Sequence, residues 1–291
     1  MELRARFDVS ERRACRAVDL CRGTHRYRSS PRSDEPGLCE RMRSLARRRP
    51  RFGYRRIARL LRDEGWNASE TRVLRLWRRE GLKVPRKRRK KRGRGISANA
   101  CDRRPATKPC DVWAWDFTFD RTTTGSQLKW LSLIDEFTRE CLVLKVDRSV
   151  TAEDLIDTLA EQFAMRGVPR AIRSDNGPEF AAKALQAWLA RLGLEPLYVE
   201  PGSPWQNGYA ESFHNRLRDE FLNQEEFENL SAARELTRRW RRDYNEVRPH
   251  SSLGYDTPSQ FANRWSASAS TSAAPRSTLP RTSDLPQPVP S

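Results

Sequence analysis

Three carboxylates in this chain stand where such a side chain is costly or unusual unless it binds something. Asp116 lies in V-W-A-W-D-F-T-F-D, whose alternation reads as a strand with Trp113, Trp115, Phe117 and Phe119 on one face. A carboxylate among aromatic neighbours in a sheet costs free energy unless it is paired or holds a cation. Asp175 ends another strand in S-D-N-G-P-E-F, where Asn176-Gly177 makes a turn and Pro178 fits the first turn of the next helix. Reacting groups of α/β sheets are often found at such strand ends. Glu211 opens a helix in Y-A-E-S-F-H-N-R-L-R. Ala210, Phe213, Leu217 and Phe221 form its apolar stripe, while Glu211, Asn215 and Arg218 share a polar face. Asp175 and Glu211 are separated by 35 residues. Each acid alone also has an ordinary structural reading: a strand-edge carboxylate, a turn aspartate, a helix N-terminal glutamate. As a set, the chemistry open to them is that of carboxylates gathered around a cation.

The elements that must position them read as β-β-β-α-β-α-β-α. L-K-W-L-S-L-I-D-E-F-T and E-C-L-V-L-K-V-D continue the first strand as an antiparallel meander. Thr151 caps the helix that follows, with Asp154 three residues on in a capping-box arrangement. Residues 169–174 make the fourth strand, 178–192 a helix and 197–199 a short fifth strand. The expected result is an α/β body: a mixed sheet covered by helices. His214 falls toward the apolar side of its helix and reads as structural. His250, in R-P-H, receives no role.

Charge separates this body from what precedes it. The chain of 291 residues has a formal net charge of +18, but residues 1–110 hold 35 Lys and Arg against 12 Asp and Glu, and the remainder 21 against 26. A basic arm on a mildly acidic body points to a polyanionic partner held by one part while the other does chemistry. Within the arm, residues 1–37 read as a basic segment without sustained heptads. Residues 38–83 read as a helix-turn-helix-like unit. Leu38, Met42 and Leu45 lie at helical spacing before Pro50, Ile57, Leu60 and Leu61 precede a stop at Gly65, and Ser69 caps a third helix ending at Gly81. In that third helix Val73, Leu74 and Trp77 face inward, and Arg72, Arg75, Arg78 and Arg79 face outward, toward a DNA groove. Residues 84–107 are a basic linker in which Lys87, Arg88, Arg89, Lys90, Lys91 and Arg92 run uninterrupted, able to neutralise phosphates without reading sequence. Residues 266–291, rich in Ser, Pro and Ala, read as a disordered tail. The six cysteines make no C-x-x-C pair and there are only three histidines, so neither a zinc site nor a disulfide framework is read. No apolar run is long enough to cross a membrane and the start lacks a signal-peptide core, which places the expected location in the cytoplasm.

The 35-residue interval resembles the D,D(35)E signature of the transposase and retroviral-integrase superfamily. The surrounding words W-x-x-D-F-T, S-D-N-G-P-E-F, S-P-W-Q-N-G-Y-A-E-S-F-H-N-R-L-R-D-E and Y-N-E-V-R-P-H-S-S-L-G-Y-D-T-P are similar to those of the insertion-sequence-three family of bacterial transposases, in its second-frame product. The resemblance runs from about residue 10 to residue 261. It implies an RNase H-like, mixed five-stranded catalytic core over 108–225, followed by a C-terminal helical part over 226–265. Asp116, Asp175 and Glu211 would then be catalytic and would hold Mg²⁺, two ions by expectation, with Mn²⁺ as a substitute. Arg218 would touch the terminal phosphate or base. Asn215 stands where retroviral relatives carry a basic residue, and Gln206 and Asn207 either grip the DNA end or cap the helix. The implied partners are double-stranded DNA, an upstream-frame product fused to or acting with this chain, and further copies of the chain on DNA. Two other functions stay open on the sequence: a DNA-binding regulator with a silent core, and a simple RNase H-like nuclease.

Overall fold

A computed structural model of the chain describes residues 6–27, 32–85, 105–174, 182–198 and 208–272. Two short helices come first, α1 (Glu11–Ala17) and α2 (Arg22–Arg26), joined by Glu11, whose carboxylate takes both Arg22 and Arg26. The segment read as merely basic is thus partly helical. Three helices follow: α3 (Glu35–Arg48), α4 (Tyr54–Asp63) and α5 (Glu70–Arg79). They bury Leu38, Met42, Ile57, Leu61, Val73, Leu76 and Trp77 against one another. α3 starts three residues before the expected boundary because Pro36 fits its first turn. Gly65 and Gly81 take φ of +87° and +66°, the left-handed backbone that ends α4 and α5.

The third helix departs from its sequence reading in two ways. Leu76, not Leu74, completes the apolar stripe; Leu74 is only half-buried. Arg72 does not face outward. It lies beside Val73 and one turn before Leu76, so its stem packs inside while its guanidinium donates to both Asp34 carboxylate oxygens and to the Asn67 carbonyl oxygen. Arg75 and Arg79 share the carboxylate of buried Glu35, and Arg78 stays exposed.

The body is built on one sheet. Its strands are β1 (Val112–Arg121), β2 (Gln127–Asp135), β3 (Cys141–Asp147), β4 (Ala171–Ser174) and β5 (Glu195–Tyr198), in the order β3-β2-β1-β4-β5. β1, β2 and β3 pair antiparallel, and β4 and β5 add in parallel. This is the mixed five-stranded sheet expected of an RNase H-like core. The alternation of β1 sends Trp113, Trp115 and Phe117 to one face. There they meet α6 (Ala152–Arg166) and α7 (Lys183–Arg191) through Leu155, Leu159, Leu185 and Leu189. The capping box of Thr151 and Asp154 starts α6 as read. The other face receives α8 (Gly208–Leu217) and α9 (Leu230–Glu246), with Phe213, Leu217, Phe221 and Tyr244 packed on Leu128, Trp130 and Val146. α8 runs on into a π-helical turn, Arg218–Leu222, in which the Asn223 N–H donates to the Arg218 carbonyl.

α10 (Pro258–Ser272) passes the expected start of disorder at residue 266. Its Ser-Ala repeat tolerates helix, and Phe261 and Trp265 anchor it with ring centroids 5.6 and 4.7 Å from Phe137. Residues 273–291 lie outside the described residues.

Arginines of the three-helix unit join it to the body. Arg49 pairs with Asp243 and Arg51 with Asp219 through two hydrogen bonds each, and Arg59 reaches Asp256 and Gln260. Arg56 donates to Glu220, whose carboxylate also takes two hydrogen bonds from buried Arg248, both 2.6 Å. Buried Phe52 sits under the guanidinium groups of Arg49, Arg56 and Arg248. Burial alone would push the Glu220 pKa up, but the hydrogen bonds from Arg248 and the charges of Arg248, Arg56 and Arg216 outweigh it and hold the group below the usual range.

His250 has a structural role in this joint. Its Nδ1–H donates to the Arg248 carbonyl oxygen at 2.8 Å, and its ring meets Tyr244 edge-on at 4.7 Å. Burial first, then the charge of Arg248, push its pKa down to about 2. The native ring therefore stays neutral while the unfolded ring binds a proton below pH 6.5, so stability falls as pH drops from 6.5 toward 2. The loss should approach about 1.4 kcal/mol per pH unit. Urea unfolding between pH 5 and 7.5 should show that slope shallower by one proton in His250→Asn; equal slopes would mean a protonated native ring. Arg248→Met leaves Glu220 with Arg56 alone and should cost about 3 kcal/mol in the same assay at pH 7.5.

Candidate active site

Asp116 occupies the middle of β1, on the face opposite Trp115, and its cross-strand partner in β2 is Ser132. One carboxylate oxygen, Oδ1, accepts the Phe117 N–H at 2.7 Å. The other, Oδ2, lies 3.1 Å from His214 Nδ1. The second ring nitrogen of His214 lies 2.8 Å from the Ser132 hydroxyl, itself 3.1 Å from the Asp116 carbonyl oxygen. His214 thus belongs to the polar contacts of Asp116 and not to the apolar packing assigned to it from sequence.

A second contact fixes how α8 lies on the strand. Arg218 Nη2 donates to Thr118 Oγ1 at 2.9 Å. Four helical residues advance about 6 Å and two strand residues about 6.6 Å, so α8 and β1 run side by side in the same direction. Glu211, one helical turn before His214, is carried toward the part of β1 that pairs with β4, where Ala114 stands beside Arg173. At the start of α8 the Arg139 guanidinium covers the Tyr209 ring at 3.9 Å and ties the helix to the β2–β3 turn.

The structure brings Asp116, Arg218 and the helix bearing Glu211 to one face of the sheet. Glu211, Asn215 and Arg218 are exposed along α8, in keeping with the polar face read from sequence. β4 ends at Ser174; Asp175, the next residue, lies outside the described residues, as do Gln206, Asn207 and the run Lys87–Arg92. Among the described residues no three His, Cys, Asp or Glu side chains come together as a metal-binding group. Asp116 and Glu211 are hard oxygen donors of the kind Mg²⁺ takes. Asp116 fits that use: a carboxylate has about four lone-pair sites, and here Oδ1 accepts one hydrogen bond and Oδ2 has one polar contact, with His214. Both ring nitrogens of His214 are already engaged, so His214 is not a free ligand.

Two polar neighbours of Asp116, Ser132 and His214, were not read as such in the sequence, whereas alternation already puts Thr118 on its face. Ser132 is the one small polar residue inside L-K-W-L-S-L-I-D. His214 stands at the helical i+3 position from Glu211, within the i, i+4, i+7 face already read for Glu211, Asn215 and Arg218.

Comparison with known proteins agrees with this arrangement over nearly the whole chain. An HTH-like domain model matches residues 34–90, and two integrase core domain models match residues 106–204 and 192–258. The 31.7 kDa protein of insertion element IS407 from Burkholderia multivorans is 40% identical over 94% of this chain and 97% of its own length. The 39.2 kDa protein of insertion element IS476 from Xanthomonas euvesicatoria is 39% identical over 92% and 76%. Transposase InsF of insertion sequence IS3A from Escherichia coli is 27% identical over 88% and 95%. With an HTH-like unit joined to an integrase core and this extent of shared sequence, the chain belongs to the insertion-sequence-three family of transposases with a DDE core.

Proposed function

We propose that the chain cuts DNA at the ends of its insertion sequence and joins the freed 3′ ends to a new site, with Asp116, Asp175 and Glu211 as the catalytic carboxylates. The observation that supports this reading is the contact of α8 and its continuation with the Asp116 face of β1, through His214 on Asp116 and Arg218 on Thr118. In cleavage, a water oxygen forms a bond to phosphorus and the bond to the 3′ oxygen breaks, leaving a 3′-hydroxyl. In joining, that hydroxyl attacks a target phosphodiester and displaces another 3′ oxygen. The three carboxylates would hold Mg²⁺, two ions by expectation, or Mn²⁺ in its place, and the metal would supply charge neutralisation at the reacting phosphate. Arg218, held at Thr118, supplies a cation beside the phosphate, while Asn215 offers a neutral polar contact one turn earlier. Gln206 and Asn207 contribute to holding the DNA end.

The DNA partner is a duplex carrying the element's terminal repeats, followed by target DNA. Arg78 on α5, with the run Lys87–Arg92, supplies phosphate contacts, and Arg75 and Arg79, which share the Glu35 carboxylate, add one further positive charge between them. Assembly as copies of the chain on paired ends, together with an upstream-frame product, and action on the bacterial nucleoid in the cytoplasm complete the reading. No helix among the described residues is long and apolar enough to cross a membrane.

Asp116→Asn, Asp175→Asn and Glu211→Gln should each abolish both cleavage and joining of an element-end duplex in Mg²⁺, while binding in EDTA survives. Near-normal joining by any one of them would remove that residue from the catalytic set. Wild-type protein that cuts without joining would be a nuclease, and one that binds without cutting a regulator. Salt dependence tests the arm. Arg78→Ala should lower the log–log slope of duplex affinity against salt by about 0.9, and Arg49→Ala, whose charge is taken by Asp243, should leave it unchanged.

A further inference from the structure

The contacts around Asp116 form a chain that starts in the sheet. Ser132 is fully buried in β2, and its place directly across from Asp116 is fixed by the β1–β2 register. Its hydroxyl reaches the inner nitrogen of His214 at 2.8 Å, and the outer nitrogen reaches Asp116 Oδ2 at 3.1 Å. The His214 side chain is only 14% exposed, and its backbone is carried by the helix that bears Glu211. The Ser132 hydroxyl donates to the Asp116 carbonyl oxygen at 3.1 Å, so its oxygen faces Nε2 and the ring stands between that oxygen and Asp116 Oδ2.

We propose that His214 is the positioning residue of Asp116, with Nδ1 against Oδ2 and Nε2 against the Ser132 hydroxyl, so that the carboxylate is oriented before the cation arrives. The inference rests on the reading of Asp116 as a cation ligand. An aspartate on a strand rotates about two side-chain bonds, and an unheld carboxylate must be ordered when the cation binds. Here Phe117 N–H takes Oδ1 and His214 takes Oδ2, which leaves lone pairs on both oxygens in a fixed plane. Hydrogen-bond partners of ligating groups are worth about 10–100-fold in metal affinity or activity. The same contact couples α8 to β1, so the helix carrying Glu211 and the strand carrying Asp116 are registered by one side chain.

Three substitutions in the full chain separate donor from bulk. His214→Asn keeps an amide donor at the position of Nδ1. His214→Gln moves the amide to the position of Nε2, where it serves Ser132 alone. His214→Leu removes both contacts. Binding of Mn²⁺ alone is read from loss of the free-ion EPR signal, with Mg²⁺-dependent cleavage and thermal melting measured alongside. Gln and Leu should weaken Mn²⁺ binding about tenfold or more, and Asn should stay within about threefold of wild type. Ser132→Ala, which leaves α8 intact, should fall between them. Wild-type Mn²⁺ binding by the Gln or Leu variant overturns the proposal. So does an Asn variant as weak as Leu, because the ring's bulk and not its donor would then matter. Should His214→Leu fail to fold, the Asn–Gln pair decides alone. Asp116→Asn is the control: if it binds Mn²⁺ normally, the assignment of Asp116 as a ligand fails and the proposal falls with it, whereas weak binding there with normal binding in His214→Gln overturns the positioning role only.

Discussion

The central constraint is the two-sidedness of β1. Its odd-numbered aromatics must be buried under α6 and α7, which forces Asp116 and Thr118 to the opposite face. That face is closed by α8, and two polar contacts, His214 on Asp116 and Arg218 on Thr118, set where along the strand the helix sits. The apolar residues of α8 supply the adhesion, with Phe213, Leu217 and Phe221 in the second core. Hydrophobic burial is non-directional and would tolerate sliding by a turn; the polar contacts would not. A slip of β1 by one residue would exchange Asp116 for a tryptophan on the α8 face and destroy both the core and the site.

The second constraint joins the arm to the body. Ion pairs mark this joint: four arginines of residues 49–59 meet Asp219, Glu220, Asp243 and Asp256. Two of these acids lie in the π-helical turn that continues α8, directly after Arg218. π turns recur at functional sites because they re-aim side chains without ending the helix. Here the turn presents Asp219 and Glu220 to the three-helix unit while α8 keeps Arg218 on Thr118. The arm and α8 are therefore packed as neighbours and not merely linked by the basic segment between them.

Much of this was legible in the sequence because local rules and tertiary packing agree. Alternation exposed β1, the Thr151 capping box started α6, and Gly65 and Gly81 marked the ends of α4 and α5. The polar face of α8 was read correctly for Glu211, Asn215 and Arg218. What failed depended on partners distant in sequence. Arg72 looks solvent-facing until Asp34 is placed beside it, and His214 looks apolar-facing until β1 arrives with Asp116. His250 has no local signature at all, since its role is to donate to the Arg248 carbonyl inside a joint formed by two separate domains. Residues 266–272, read with the tail, differ for another reason: composition reports a poor core, but Ala and Ser continue an existing helix once Phe261 and Trp265 anchor it on Phe137.

The arginine–carboxylate joint also limits how the protein can be rebuilt. An HTH-like unit looks exchangeable, a cassette that could be replaced to give the same core a new DNA preference. Its contact surface is written in both parts, with Arg49, Arg51, Arg56 and Arg59 on one side and Asp219, Glu220, Asp243 and Asp256 on the other. A chimera that imports residues 34–85 from a relative without those arginines would leave Glu220 with Arg248, Asp256 with Arg264, and Asp219 and Asp243 without their partners. The unit of exchange is the three-helix domain together with its acidic seat, and helix α5 is the part that can be altered by itself, since its exposed Arg78 lies outside the joint.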